Sequence, residues 1–236
     1  MSLANLMNKA EEKGSRLILA LDLLGPKDYC SSRAVYLLSI LRDYVIGVKI
    51  GHPLTLSIGI KGVLDIIKQY SSEYFFIADF KLADVPHIMK ATVKVLVDMG
   101  FNAVITHLFP MSIDELVPFS HGLNASIIGV LMMSHKGAVL FEKNLNVLLD
   151  YARGVGVDGV VVGATKPMYI KLARERLNRD QLIFAPGVIR QGATAGEALK
   201  FGADFEIVGR AIYEAPDPLL SARRIVESER EALHDQ

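Results

Sequence analysis

Tyr74-Phe75-Phe76-Ile77-Ala78-Asp79-Phe80-Lys81-Leu82-Ala83-Asp84-Val85-Pro86 runs from an unbroken apolar segment straight into charge. An apolar run without alternation fits a parallel strand covered on both faces. Charged residues then fall at its C-terminal end, and Pro86 suits the first turn of a following helix. A period of two sets Asp79 and Lys81 on one face of the strand. Ionised groups at the mouth of a buried strand are costly unless paired. From these residues alone a structural ion pair remains open, and the ends of the other strands settle between that and catalysis.

The same unit, strand followed by helix, recurs along the chain. Strands are predicted over residues 17–21, 45–50, 74–81, 103–107, 126–132, 159–162, 182–185 and 205–208. Helices are predicted over 28–41, 53–69, 87–99, from Ser112 onward, 141–153, 165–177, 197–201 and 218–233. Gly59 and Gly62 blur the limits of the second. Met89, Val93, Leu96 and Val97 form an inward stripe on the third, which Gly100 stops. Ser112 and Glu115 have capping-box spacing, and residues 228–231 read as a wet face of the last helix. Eight such units with no linker or low-complexity tract fit one closed (β/α)8 TIM barrel, a single catalytic domain over residues 1–236. A doubly wound open sheet is the alternative, but the first strand lacks the phosphate-binding glycine pattern of a dinucleotide domain. The barrel puts Asp22, Lys49, Asp79, Lys81, His107, Ser134, Gly187 and Arg210 around one mouth.

Composition narrows the functional classes. The 236 residues are 51% hydrophobic and carry 26 acidic and 26 basic side chains. That balance gives no reason to expect a nucleic-acid groove or an anionic membrane partner. Cys30 is the single cysteine, so neither an internal disulfide nor a cysteine metal cluster can form, and a cytoplasmic setting is expected. Residues 1–13 lack the apolar core of a secretory signal, and no apolar run approaches a membrane span.

Asp22, Lys49, Asp79, Lys81 and Asp84 come from neighbouring strand ends and are expected to form one alternating charge network. In such a network Asp79 can press on a substrate carboxylate while Lys81 delivers a proton where that carboxylate leaves. A second argument concerns phosphate, which many barrels bind in the loops after strands seven and eight. Here those are residues 187–196 and Gly209-Arg210, with Arg210 able to make a bidentate contact and Gln191 to close over it. Gly209-Arg210 alone is a weak signal, and Arg190 reads as a solvent-facing or auxiliary anion residue. His107 fits either a substrate contact or a supporting histidine, while His52 and His87 show no metal-ligand spacing. Met132 and Met133 read as core and pocket edge.

These segments resemble the orotidine 5'-phosphate decarboxylase family, in its compact microbial and archaeal form. The resemblance rests on Leu19-Ala20-Leu21-Asp22, Val48-Lys49, Asp79-Phe80-Lys81-Leu82-Ala83-Asp84, Ala185-Pro186-Gly187-Val188, Gln191-Gly192 and Val208-Gly209-Arg210-Ala211-Ile212-Tyr213. It covers essentially the whole barrel. It implies conversion of orotidine 5'-phosphate to UMP and carbon dioxide with no metal and no organic cofactor. By the same resemblance, Lys49, Asp79, Lys81 and Asp84 are catalytic. Asp22 and Lys49 hold the ribose, Asp79 crowds the substrate carboxylate, and Lys81 protonates pyrimidine C6. Asp84, with Val85 beside it, reaches into the partner's site of a homodimer. Ser134 and Pro186 meet the pyrimidine, and Gln191, Gly209 and Arg210 bind the 5'-phosphate under a lid at residues 188–195. Val85 stands where the family more often has isoleucine. Ala193-Thr194-Ala195 replaces a more glycine-rich or acidic lid, and His135-Lys136 flanks Ser134.

Two other readings keep the fold. A magnesium-dependent sugar-phosphate decarboxylase or aldolase shares the Asp-x-Lys-x-x-Asp core but usually lacks the Ser134, Gln191 and Gly209-Arg210 combination. A noncatalytic phosphate-metabolite binding barrel would keep Arg210 and make no product.

Overall fold

The barrel closes. In the computed structural model, which describes residues 3–234, eight strands run β1 (Leu17–Ala20), β2 (Gly47–Gly51), β3 (Phe75–Leu82), β4 (Ala103–His107), β5 (Ser126–Met132), β6 (Gly159–Val162), β7 (Leu182–Pro186) and β8 (Phe205–Val208). Each is parallel to the next, and β8 returns to β1 through the Leu17–Glu206, Ile18–Ile207 and Leu19–Val208 pairs. An open doubly wound sheet would leave two edges unpaired; here both are consumed. The strands are almost entirely buried, which accounts for their largely apolar sequence, with Lys49 in β2 and Glu206 in β8 as buried charged exceptions.

Helices α1 (Leu3–Lys13), α2 (Lys27–Ile40), α3 (His52–Tyr70), α4 (Pro86–Asp98), α5 (Leu116–Gly122), α6 (Val139–Lys143), α7 (Leu145–Val155), α8 (Pro167–Arg176), α9 (Glu197–Lys200), α10 (Arg210–Tyr213) and α11 (Pro218–His234) surround it. Met89, Val93 and Leu96 are buried on α4 as the stripe requires, with Val97 packed at its margin. Gly100 takes φ 100° just beyond that helix, a conformation that favours glycine. Gly59 is non-helical, at φ 75° and ψ 167°, and kinks α3.

Several expectations are corrected. The helix predicted from Ser112 begins only at Leu116, and no capping box forms. Ser112 donates instead to the Asp84 carbonyl at 3.2 Å, and Glu115 pairs with Lys90 at 2.5 Å. The helix over 141–153 is two, broken at Asn144, whose side-chain amide donates to the Leu140 carbonyl. Glu229, within the supposed wet face of α11, is fully buried. Helix α1 was not anticipated, although Leu3, Leu6 and Ala10 bury one face of it.

Candidate active site

Four of the five expected charges meet at the C-terminal mouth. Lys49 Nζ lies 2.8 Å from Asp79 Oδ2 and 3.3 Å from Asp22, and Lys81 Nζ lies 2.7 Å from Asp79 Oδ1. The order is therefore Asp22, Lys49, Asp79, Lys81, alternating in sign. Lys49 and Asp79 are buried, whereas the Lys81 side chain is 38% exposed and forms the open end of the row. Burial opposes the Lys49 charge, but Asp79 and Asp22 outweigh it and hold the ammonium above the usual lysine range. Burial likewise works against ionised Asp79, and Lys49 and Lys81 outweigh it, so its carboxyl falls below the usual range. Both shifts follow from opposite charges at contact distance in a poorly solvated site.

Local backbone makes this convergence possible. Between Ala78–Val104 and Leu82–Thr106 the β3–β4 register slips, so β3 spends four residues where β4 spends two. Lys81 sits in that bulge at φ 45°, a left-handed conformation that costs a lysine roughly 1–3 kcal/mol. Regular alternation is thus not what aims Lys81; a strained bulge re-aims it. Gly51 at the end of β2 admits its neighbours, since a Cβ there would stand 2.9 Å from the Asp79 carbonyl. Asp84 does not join the row within its own chain. It is exposed past the strand end, with Oδ1 accepting the Val85 N–H at 2.7 Å.

Across the mouth, loops from β5, β6 and β7 interlock. Thr165 Oγ1 donates to the Ser134 carbonyl at 2.7 Å. Gly163 has no room for a side chain, because a Cβ would lie 2.5 Å from Ser134 Cα. Gly187, at φ 102°, leaves space for the Gln191 amide and Ser134 Cβ, each 3.1 Å from where its own Cβ would stand. Residues 188 and 193 bridge across the following loop, with Ile189 at φ 63°.

A cavity of about 290 Å³ joins the two sides. Asp22, Lys49, Asp79, Lys81, Ser134, Pro186, Gln191, Gly209 and Arg210 all line it; Asp84, Val85 and His107 do not. Arg190 also reaches the cavity and pairs with Glu214 at 3.0 Å. His107 packs against Phe109 and Phe141, its Nδ1 buried without a partner. Burial and then Lys81 hold its imidazole below the usual histidine range. His135 and Lys136 are exposed outside the cavity. Met132 is core and Met133 is pocket edge, as their sequence context implies. Among the described residues no group of three or more His, Cys, Asp or Glu side chains is arranged to hold a metal ion.

Sequence reasoning missed the cavity's apolar wall, Ile105, Val130, Val161 and Ile207, and also Tyr213. Stepping back two residues from His107 and Gly209 reaches Ile105 and Ile207, so strand period could have found these two. Tyr213 belongs to the one-turn α10, too short to leave a periodic signal.

Fold and site together define a (β/α)8-barrel enzyme built on an Asp-x-Lys-x-x-Asp strand end. The chain belongs to the orotidine 5'-phosphate decarboxylase / HUMPS family, which matches residues 15–225. It is 37% identical to orotidine 5'-phosphate decarboxylase of Sulfurisphaera tokodaii over 201 residues, 84% of this chain and 91% of that one. Among solved structures, orotidine 5'-monophosphate decarboxylase of Sulfolobus solfataricus superposes with a TM-score of 0.80 at 32% identity, covering 93% of this chain and 99% of that one. The Methanocaldococcus jannaschii enzyme, complexed with inhibitor BMP, gives 0.81 at 31% identity, with 91% and 98% covered.

Proposed function

We propose that this chain converts orotidine 5'-phosphate to UMP and carbon dioxide, as one catalytic barrel over residues 1–236. The observation that carries the reading is Asp79, buried and shared between Lys49 and Lys81, with Lys81 opening onto the cavity. In this reading the C6–carboxylate bond breaks, its electron pair stays on C6, and carbon dioxide departs. The developing carbanion meets the Lys81 ammonium, which Asp79 has already oriented, and receives its proton. Such preorganised charge is effective because it needs no rearrangement as the reaction proceeds. Asp79 contributes further by crowding the carboxylate in the ground state, a repulsion relieved as carbon dioxide leaves.

Asp22 and Lys49 hold the ribose, and Ser134 and Pro186 border the pyrimidine. Gln191, Gly209 and Arg210 receive the 5'-phosphate, supported by their place in the lining of the same cavity. Closing residues 188–195 over that phosphate turns remote binding energy toward the reacting carbon. Asp84 and Val85, exposed and outside their own cavity, serve the neighbouring barrel of a homodimer. The reaction needs no metal and no organic cofactor, because Lys81 supplies both the charge and the proton. No described helix is long and apolar enough to cross a membrane, and a cytoplasmic setting accords with a nucleotide substrate.

The test is loss of orotidine 5'-phosphate absorbance, with UMP identified as product, before and after thorough chelation. Undiminished turnover supports the reading. Turnover that disappears on chelation and returns with magnesium transfers the chain to the magnesium-dependent branch of the barrel group.

A further inference from the structure

Glu206 lies on β8 beside Ile207, which lines the cavity, so the alternation of the strand turns Glu206 outward, toward α9 and α11. Its side chain is fully buried and both oxygens are engaged. Oε2 accepts the Gly196 N–H at 2.9 Å and Oε1 accepts the Ala198 N–H at 3.2 Å. Gly196 ends the segment that starts at Gly187 and carries Gln191. It is wedged as well as bonded: at φ 81°, a Cβ would stand 2.6 Å from the Ser228 carbonyl of α11. Two other side-chain ties along this segment, Glu197 to the Thr194 N–H and Arg190 to Glu214, are exposed.

We propose that Glu206 is a positioning residue for the loop of residues 187–196: its ionised carboxylate clamps the loop's end at Gly196 and Ala198 and thereby sets where Gln191 meets the substrate phosphate. The proposal rests on the reading of that loop as the phosphate side of the site. A carboxylate offers a strong acceptor to each amide, whereas in the protonated acid one oxygen becomes a donor and a poorer acceptor, which weakens one of the two contacts. The charges around it are few. Glu197 faces it from α9, Glu229 lies on α11, and Arg16 precedes β1, while its strand neighbours Leu17 and Ala185 are uncharged. Glu229 Oε2 accepts the Arg16 N–H at 2.8 Å, and its Oε1 is buried without a partner. Burial pushes Glu206 up to about 7 against the pull of the two amides, with Glu197 adding to the rise. Both amides therefore meet a full carboxylate only above neutrality, and ionising it there is at the expense of fold stability.

Glu206→Gln keeps the size and leaves one acceptor. Steady-state turnover of orotidine 5'-phosphate from pH 5.5 to 8.5, with phosphate-free orotidine alongside, reads the effect. KM for the nucleotide is expected to rise about tenfold at pH 8, with kcat/KM for orotidine unchanged. The ratio of variant to wild-type KM should fall toward unity at pH 5.5. The substrate phosphate titrates near ~6 in both proteins, so the ratio cancels it. Equal losses with both substrates, a ratio indifferent to pH, or an unchanged KM would overturn the proposal. Hydrogen exchange supplies a reading that needs no turnover. Protection of the Gly196 and Ala198 amides, corrected for intrinsic rates, should be severalfold lower in Glu206→Gln than in the native protein at pH 8; equal protection in the two would count against the clamp even if turnover failed.

Discussion

Asp79→Asn removes one charge from a row of four. Each Asp79 oxygen meets a different ammonium, at 2.8 Å for Lys49 and 2.7 Å for Lys81. With an effective dielectric near 20, each contact has a gross Coulomb attraction of about 6 kcal/mol. Desolvation offsets most of this, and deleting one member of a buried pair costs roughly 3–5 kcal/mol. The lower end applies here. Lys81, 38% exposed, can rehydrate, and Lys49 keeps Asp22 at 3.3 Å. The expected loss is thus about 3 kcal/mol of unfolding free energy at pH 7, read by urea titration followed by circular dichroism. The sign with pH adds a second check. In the native protein Lys49 is held above its ordinary value, so its stabilising contribution is present at pH 7 and lost as the pH rises through that raised value. In the variant burial dominates and favours neutral Lys49, so the penalty shrinks as the pH approaches 10. A loss under about 1 kcal/mol, or a deficit equal at pH 7 and pH 10, would refute the shared-carboxylate account.

Three further outcomes are expected. Burial raises Glu206 from 4.5 to about 7 and Glu229 from 4.5 to about 8. The folded state thus binds these protons more tightly, and stability falls as pH rises between those values, by an amount on the order of 8 kcal/mol in all. Thermal melts at pH 5 and pH 8 should show the decline, and Glu229→Gln should flatten it; a native slope unaltered in that variant would contradict the assignment. Gly163→Ala, whose Cβ would stand 2.5 Å from Ser134 Cα and 2.8 Å from its nitrogen, should destabilise the protein by about 1–3 kcal/mol and lower kcat/KM by displacing Ser134; wild-type kinetics would show that Ser134 is not held there for substrate. Mixing inactive Lys81→Ala and Asp84→Ala chains should restore part of the activity through one intact composite site. No recovery in verified heterodimers would deny Asp84 its place across the interface.

Much of this fold was legible because the buried parallel strands are short, mostly apolar runs recurring between helical segments. The predicted β4, β5, β6 and β8 limits coincide with the observed ones, and β1 and β7 differ by a single residue at one end. The break between α6 and α7 was hidden because Phe141, Leu145, Leu148 and Leu149 keep helical spacing straight across Asn144. Helix α10 was invisible for want of length, and Tyr213, though part of the segment from Val208 that resembles the family, carried no assigned role. The charge row was readable as residue types at strand ends, but its geometry was not. Lys81 reaches Asp79 through a bulge that depends on how β3 pairs with β4, and a single strand's sequence carries no record of its partner's register. Glu229 misled for a similar reason: only the packing of α11 against the start of β1 turns a surface-like glutamate into a buried one. Asp84 was grouped with the other charges by proximity in sequence, and the chain leaves the mouth before reaching it.

The central claim is that Lys81 protonates the carbon from which carbon dioxide departs. Turnover of orotidine 5'-phosphate by Lys81→Ala against the unmodified protein, both shown to be folded, tests it most directly. The variant should lose several orders of magnitude in kcat; UMP formation near the native rate would remove Lys81 from the chemistry and the account with it.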